Sequence, residues 1–212
     1  MGHRALVAYE QHDGRYSLHY SHWGAADLKL KHAITPETPF GGPDEDAAWA
    51  NDLLQQLLEG VEPEAVGGYL TEKDHVTSVE PQPMATGLTR EEILADYLDY
   101  LHHEAYYKID HDLDVTAYRT LWFGLQYDSD RIEEGETVGN GAVVTVGWHD
   151  GQPLNDAFLR GQFRALRDIV GDLLVDRDHA SEREAIAYMR EQVAGWAGQH
   201  QEVIFAPATR AD

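Results

Sequence analysis

The chain contains no cysteine and very little lysine. Without cysteine it forms no disulfide, and it has no thiolate to serve as a metal ligand or a nucleophile. Lysine occurs at only four of the 16 basic positions, Lys29, Lys31, Lys73 and Lys108. No run approaches the roughly 18 apolar residues typical of a membrane-spanning helix, and the N-terminal segment lacks the apolar stretch of a signal peptide. We therefore expect a cytoplasmic protein.

Acidic side chains, in contrast, are abundant. The sequence has 38 Asp and Glu against 16 Lys and Arg, a formal net charge of -22, yet 42% of its 212 residues are hydrophobic. That hydrophobic share is too high for a disordered acidic tail. Repulsion among such charges acts over a Debye length of about 10 Å at 0.1 M salt but only about 3 Å at 1 M. The dispersed acidity indicates a halophilic protein, and an acidic mesophilic protein or an acid-rich partner mimic is the alternative.

The first element that the sequence predicts is a β-hairpin. Asp13-Gly14, flanked by alternating apolar residues, is the strongest short-range hairpin signal. A two-residue loop would pair Tyr9 with Leu18 and Val7 with Tyr20. This register predicts a core face and a more open face, and the open face carries Arg4, His19, Ser21 and Trp23.

The remaining patterns favour an α+β protein. Strands and helices mix without a regular alternation, which favours an N-terminal β-hairpin in an antiparallel or mixed sheet packed by about four helices. We expect one domain, 1–212, with a helical C-terminal third, about 153–200, closed by a short last strand. Capping and periodicity predict helices over about 44–60, from the Thr89 capping box onward, over 154–174 and over 181–196, and strands over 115–127, 142–148 and 203–205.

The polar and aromatic side chains of the open face are candidate binding residues. Arg4 opposite Trp23 would form a cation–π pair of about 0.5 to 1 kcal/mol if exposed. With His19 and Ser21 beside it, the same face would suit an anionic or planar ligand. His19 and His22 do not form a metal pair in a regular strand, because positions three apart point to opposite faces.

A cationic stripe in the C-terminal helix is a second candidate site. Arg160, Arg164 and Arg167 recur on one flank, where they would suit a phosphate or a nucleic acid. Intrahelical pairing with Asp156 and Asp168, each four residues from an arginine, explains the stripe equally well. Because the chain has no broad basic surface, we do not expect non-specific nucleic-acid binding.

An acidic turn is the candidate metal site. Asp110, Asp112 and Asp114 alternate as at the start of a calcium loop, but its sixth position is Val115 instead of glycine and its twelfth is Leu121 instead of glutamate. A looser site for a divalent cation and a solvated turn both remain compatible with the pattern. No other cofactor is expected. The histidines that could contribute ligands are His102, His103 and His111.

No established catalytic motif occurs in the chain. It has no Gly-x-Ser-x-Gly elbow, no phosphate-binding glycine loop and no His-Glu-x-x-His pair. Two N-terminal segments, 2–9 and 18–24, resemble a group of uncharacterised haloarchaeal proteins of unknown function. That resemblance implies a halophilic source and no catalytic residues.

These observations support three hypotheses of different classes. The leading one is an intracellular binding or interaction module that uses the open hairpin face for an unknown protein or small-molecule partner. The alternative is a metal-dependent hydrolase centred on the 110–114 turn. The third is a structural component of a cellular or viral assembly, for which a homo-oligomer would be expected.

Overall fold

The computed structural model describes residues 2–61, 66, 76–125, 135–196 and 201–207. The described residues form nine β-strands and five α-helices, so the predicted α+β class is confirmed. The chain divides into two compact units. The first contains residues 1–93 and 103–118, and the second contains residues 94–102 and 119–212. The single domain expected from the sequence stays a prediction.

The first unit is built on a mixed sheet with the strand order β3-β2-β1-β4. Strand β1 runs antiparallel to β2 and parallel to β4, so β1 lies inside the sheet. The unit also contains the start of β5, which continues into the second unit. Its elements are β1 Ala5–Glu10, β2 Tyr16–Ser21, α1 Leu30–Ala33, α2 Ala47–Leu58, β3 Ala85–Leu88, α3 Arg90–Glu92, β4 Ala105–Ile109 and β5 Val115–Trp122.

The hairpin turn is longer by one residue than the sequence predicted. The Gln11 N–H donates to the Arg15 carbonyl at 2.7 Å, and the Gly14 N–H donates to the Gln11 carbonyl at 2.9 Å. These bonds enclose a three-residue loop, 12–14, in which Gly14 has φ +80°. A type I turn followed by a left-handed glycine forms this kind of loop, and Asp-Gly fits it as well as it fits a two-residue turn. The predicted two-residue loop is therefore wrong.

The extra loop residue shifts the register of β2 and exchanges its faces. Tyr9 pairs with Ser17, where the shorter loop would have paired it with Leu18. A shift of one residue moves every side chain to the opposite face. His19 and Ser21 therefore share the Tyr9 face and are only 0% and 1% exposed. The prediction that these two residues lie on an open face is wrong.

Strand β1 is covered on both faces, which explains why neither face of the hairpin is open. All residues from Ala5 to Tyr9 are buried. On the His19 face, the Tyr9 ring lies 5.5 Å from the ring of Phe40, and the Tyr9 hydroxyl donates to the Pro39 carbonyl at 2.7 Å. Continuous apolar strands such as β1 are typical of positions with parallel neighbours and two covered faces.

The capping box at Thr89 is confirmed. The Glu92 N–H donates to the Thr89 hydroxyl at 3.2 Å, and the Thr89 N–H donates to the Glu92 carboxylate at 2.7 Å. The α-helical part ends at Glu92, however, and continues as a π-helical turn, Ile93–Tyr97. At α2, residues Asp44–Asp46 form a 3₁₀ turn, and the α-helix itself begins at Ala47, three residues after the predicted start at 44.

In the second unit, two helices pack on the strands β5, β6 and β9, which are neighbours in that order in the sheet. Strand β6 pairs antiparallel with β9, and β7 pairs with β8 in a separate hairpin. The two helices predicted over 154–174 and 181–196 and the last strand predicted over 203–205 are confirmed. The single strand predicted over 142–148 is instead split into two strands, β6 and β7. The elements are β6 Gly141–Thr145, β7 Gly147–His149, β8 Gln152–Leu154, α4 Asp156–Val170 with a π-helical turn Gly171–Asp176, α5 Glu182–Trp196 and β9 Val203–Phe205.

The core of the second unit lies between these helices and the strands. Phe123 packs edge-to-face on Phe163 of α4, with ring centroids 5.8 Å apart. Met189 and Val193 of α5 are fully buried in the same cluster. Within the described part of the chain, no helix has both the length and the apolar character needed to cross a membrane.

Candidate functional site

A cavity of about 250 Å³ lies beside Trp23, just beyond the end of β2. One side of it comes from the connection between β2 and α1, and the other from the segment 77–80, which precedes β3. Both belong to the first unit. The lining residues are His22, Trp23, Lys29, Thr77, Ser78 and Glu80.

Hydrogen bonds fix the wall formed by segment 77–80. The N–H groups of Ser78 and Val79 both donate to the Phe40 carbonyl at 3.1 Å, and the Glu80 N–H donates to the Tyr20 carbonyl at 2.8 Å. The hydroxyl of Ser21 donates to the Ser78 carbonyl. Because this wall is tied to the sheet and to the loop before α2, the cavity is preformed, as most small-molecule sites are.

Two hydroxyl groups of this wall donate their hydrogens to backbone carbonyls. The Thr77 hydroxyl donates to the Val79 carbonyl at 2.7 Å, and the Ser78 hydroxyl donates to the Gly41 carbonyl at 3.0 Å. Each hydroxyl has one hydrogen and two lone pairs, so donation to a carbonyl leaves the oxygen able to accept. The wall therefore favours a ligand that carries N–H or O–H groups.

The cavity also carries one charge of each sign. Lys29 and Glu80 are both exposed and line the same space. Among the described residues, neither the Lys29 ammonium nor the Glu80 carboxylate has an ion-pair partner. A ligand with a hydrogen-bond acceptor at one end, for Lys29, and a donor at the other, for Glu80, would match the two charges.

Trp23 presents a flat aromatic surface at the cavity. Its side chain is 51% exposed. The ring packs edge-to-face on His22, with centroids 4.9 Å apart and an interplanar angle of 86°, and lies 6.2 Å from the ring of His3. His22 is in turn held by the hydroxyl of Tyr20, 3.1 Å from its Nδ1. An indole positioned in this way can stack on a planar group or on a cation.

The four residues of the predicted open face thus have different positions. Trp23 lines the cavity, and Ser21 supports its wall. Arg4 is exposed, and its carbonyl accepts from the Glu104 N–H at 2.9 Å. No cation–π contact joins Arg4 to Trp23 within the described residues, because the shifted register places Arg4 level with His22.

His19 lies behind the cavity wall as a neutral core residue. Its Nδ1 is 2.9 Å from the Glu80 carbonyl, which can only accept, so Nδ1 carries the hydrogen. Its Nε2 accepts from the Ser17 hydroxyl at 2.8 Å. Desolvation by complete burial lowers the pKa of His19 to about 4, against a weaker opposing effect of the hydrogen bond to Glu80. His19 therefore positions Glu80 and does not contact the cavity.

The acidic turn between β4 and β5 is held by its own backbone. The Asp110 carboxylate accepts from the N–H groups of Asp112 and Asp114 at 3.1 and 2.9 Å, and Leu113 adopts φ +62°. Aspartate commonly stabilises tight turns by bonding the backbone in this way. Asp110 therefore stabilises the turn, and Asp112 and Asp114 are exposed to solvent.

The candidate metal-binding histidines lie at separate places. The His111 ring stacks on His12 at 5.7 Å, and its Nε2 is 4.0 Å from the Glu10 carboxylate. His103 lies against the ring of Tyr20 in the first unit. In the second unit, Nδ1 of His102 is 2.9 Å from the carboxylate of Asp99. Over the described ranges, no three Asp, Glu or His side chains are grouped to hold a metal ion.

The arginine stripe on α4 is partly structural. The Nε of Arg160 lies 3.6 Å from the Asp156 carboxylate, which confirms that predicted pair. The Arg167 guanidinium lies over the ring of Trp122, 5.5 Å from its centroid. Arg164 is exposed.

Sequence patterns did not indicate two features of the structure. The segment 77–80 carries no motif, and it reaches the cavity only because it packs on Phe40. The second feature is a buried ion pair between Arg119 and Asp156. The sequence could have indicated this pair, because Arg119 is a charged residue in the middle of the apolar strand β5, where a charge is tolerated only when it is paired.

Comparison with known proteins gave one match. A model described as "Family of unknown function (DUF6735)" matches residues 1–205 of the chain. No curated protein and no solved structure showed significant similarity.

Proposed function

Because the chain belongs to this family of unknown function, its role has to be inferred from its own residues, and we propose that it is a binding module whose ligand occupies the cavity beside Trp23. One observation carries the proposal. A half-exposed indole borders a cavity that has a hydrogen-bonded wall and, at Lys29 and Glu80, charges of opposite sign. The site lies beyond the end of β2, at the edge of the face that the sequence indicated.

The chemistry of the lining favours a small zwitterionic ligand. Lys29 would pair with a carboxylate, and Glu80 with an ammonium or guanidinium group. Trp23 would cover an aromatic or cationic side chain. A volume of about 250 Å³ is slightly below the roughly 300 to 1,000 Å³ usual for ligand pockets, which suits a molecule of amino-acid size.

We also propose that the protein works in molar salt inside a haloarchaeal cell. In support, only two described carboxylates, Asp46 and Asp156, are buried, so nearly all the described acidic side chains lie at the surface. With a net charge of -22, the folded state needs strong screening of that surface.

Titration followed by NMR tests the binding proposal. Protein in molar KCl would be titrated with a panel of free L-amino acids, and with nucleoside monophosphates as planar anions without an ammonium group. We expect saturable shifts of the Trp23 indole N–H with at least one amino acid. Trp23→Ala should abolish binding, and Lys29→Met or Glu80→Gln should weaken it by about 1.5 to 3 kcal/mol, the usual contribution of a charged hydrogen bond.

The matched control is Phe158→Ala, which removes an exposed aromatic side chain from the second unit. This variant should bind the same amino acid with unchanged affinity. If no member of the panel shifts the Trp23 resonance, or if Trp23→Ala binds as well as the wild type, the cavity is not the binding site and the proposal fails.

A further inference from the structure

Helix α4 carries an apolar stripe on a side that is not packed against the core. Phe158 is 68% exposed and Ile169 is 57% exposed, and Ala165 between them is also exposed. The core face of the same helix is formed by Leu159, Phe163 and Val170. At Gly161, within the stripe, an added Cβ would meet no atom within 4 Å. The stripe is open along the length of the helix.

An apolar groove lies beside the C-terminal end of this stripe. It has a volume of about 490 Å³ and runs between the end of α4, the turn that follows it and α5. Tyr188 at its edge is 44% exposed. Exposed apolar surface of this kind, with charged neighbours, commonly marks a site of protein association. The residues that line the groove are Ile169, Val170, Leu173, Leu174, Ala180, Glu184 and Tyr188.

The charges beside the stripe follow an order along the helix. Arg160, Arg164 and Asp168 recur at intervals of four along α4, and Asp172 follows in the π-helical turn, so the four charges follow one another down one side of this segment. The basic pair precedes the acidic pair. About a two-fold axis, an antiparallel pair brings the same flank of both copies together with basic residues opposite acidic ones, whereas a parallel pair turns the two flanks to opposite sides. The flank is therefore complementary to itself in the antiparallel direction only.

One register satisfies both the charges and the apolar surfaces. If two copies of α4 cross at residue 166, Arg160 lies opposite Asp172 and Arg164 lies opposite Asp168. In that register Phe158 of one copy lies opposite Leu174 of the other, in the groove. Phe158 is eight residues from the crossing point, about 12 Å at the α-helical rise of 1.5 Å per residue, and Leu174 is eight residues from it on the other side, within the π-helical turn. An exposed aromatic side chain and an apolar groove therefore meet twice, related by the two-fold axis.

We propose that two copies of this chain form a two-fold symmetric dimer through antiparallel α4 helices, with Phe158 of each copy inserted into the groove of the other. Contacts in such an interface are reciprocal, so each helix supplies both an aromatic anchor and its pocket. The open space at Gly161 permits close approach of the helices.

The charges select the register and contribute little to affinity. Asp172 already lies 3.3 Å from Arg177 on the surface, and Asp168 has a contact within its own chain. Exposed pairs of this type contribute little to stability, so these residues can exchange partners. Molar salt screens both these pairs and the repulsion between two chains of charge -22, so burial of the apolar stripe stabilises the dimer.

Sedimentation velocity of the full chain in molar KCl tests the dimer. We expect the wild type to dimerise, and Phe158→Asp to raise the dissociation constant at least about 30-fold, the effect of losing an interface anchor of 2 kcal/mol. Trp23→Ala, which removes an exposed aromatic of the first unit, should leave the constant unchanged. A wild type that stays monomeric at its highest soluble concentration, or a dimer insensitive to Phe158→Asp, overturns the proposal.

Two further variants test the register. Arg164→Asp should weaken the dimer at reduced salt, and the exchange Arg164→Asp with Asp168→Arg should restore it, since the exchange preserves antiparallel complementarity. The cysteine-free chain also permits a clean cross-link. Ala165→Cys, which lies in the stripe one residue from the crossing point and keeps the Phe158 anchor, should form a disulfide between copies under oxidation. If the protein still dimerises, but the charge exchange does not restore the dimer and the disulfide does not form, the interface lies elsewhere.

Discussion

Arg119 and Asp156 form a buried ion pair with two parallel hydrogen bonds. The Arg119 Nε and Nη2 atoms lie 2.6 and 2.9 Å from the two Asp156 carboxylate oxygens, and the side chains are 2% and 9% exposed. Arg119 belongs to β5, and Asp156 is the first residue of α4, where its negative charge also favours the helix dipole. The pair fixes the start of α4 against the strand.

Loss of one partner of this pair should strongly destabilise the protein. Asp156→Ala removes the carboxylate that bonds the buried Arg119 guanidinium at two atoms, and breaking a buried pair typically costs about 3 to 5 kcal/mol. Arg160→Ala is the matched control, because Arg160 contacts the same carboxylate from an exposed position and should cost at most about 1 kcal/mol. Chemical denaturation in molar salt gives the free energy of unfolding of each variant. Equal losses in the two variants would mean that the buried ion pair stabilises the fold no more than the exposed contact does.

The stability of the first unit should fall in mild acid because of His19. Its folded-state pKa is about 4, below the value near 6.5 expected in the unfolded chain, so the unfolded state binds the proton more readily. Stability from this residue is complete above pH 6.5 and declines as the pH falls to 4. The decline amounts to about 3 kcal/mol over that window.

Two measurements check the histidine prediction. The imidazole resonances of His19 should show no titration near pH 6.5 while the protein is folded. His19→Asn keeps a donor for the Glu80 carbonyl but does not titrate, so its stability should change less between pH 6.5 and 4 than that of the wild type. A native His19 that titrates at its ordinary pKa would contradict the assignment.

Two glycine substitutions should have opposite effects on stability. Gly14 has φ +80°, and alanine there meets no neighbour but adopts a left-handed conformation, so Gly14→Ala should destabilise by about 1 kcal/mol. Gly195 lies within α5 with equally open space, so Gly195→Ala should stabilise by up to about 1 kcal/mol. Melting temperatures in molar salt compare the pair. Stabilisation by Gly14→Ala would contradict the three-residue loop.

Local signals predicted α2, α4, α5 and the start of α3, because each signal is complete within a short segment, whereas the four-residue α1 was not predicted. The Thr89 capping box with Glu92 needs only four residues, and the apolar spacing of α4 and α5 needs two or three turns. The hairpin was recognised for the same reason. Its register was not, since Asp13-Gly14 is compatible with loops of two and of three residues.

The candidate site could not be predicted, because it is formed by contacts between segments that are far apart in the sequence. Strand β1 lies inside the sheet because β4, about 100 residues later, pairs with it in parallel, and its Tyr9 face is covered by Phe40 from a distant loop. Segment 77–80 forms the cavity wall because its backbone bonds to Phe40 and Tyr20. The hairpin pattern singled out Trp23 as a candidate binding residue, but it could not show which side chains lie around it.

The acidic surface leads to the last prediction, that the fold requires salt. When KCl is lowered from molar concentration to about 0.1 M, screening weakens, and a chain of net charge -22 should lose its native circular dichroism spectrum. Neutralising two exposed carboxylates of the α2 region, with Asp52→Asn and Glu59→Gln, should shift the midpoint of unfolding to lower salt. Gln55→Ser, on the same helix, changes no charge and should leave the midpoint nearly unchanged. Full native stability at about 0.1 M KCl would show that screening is not needed and would refute the proposed adaptation to molar salt.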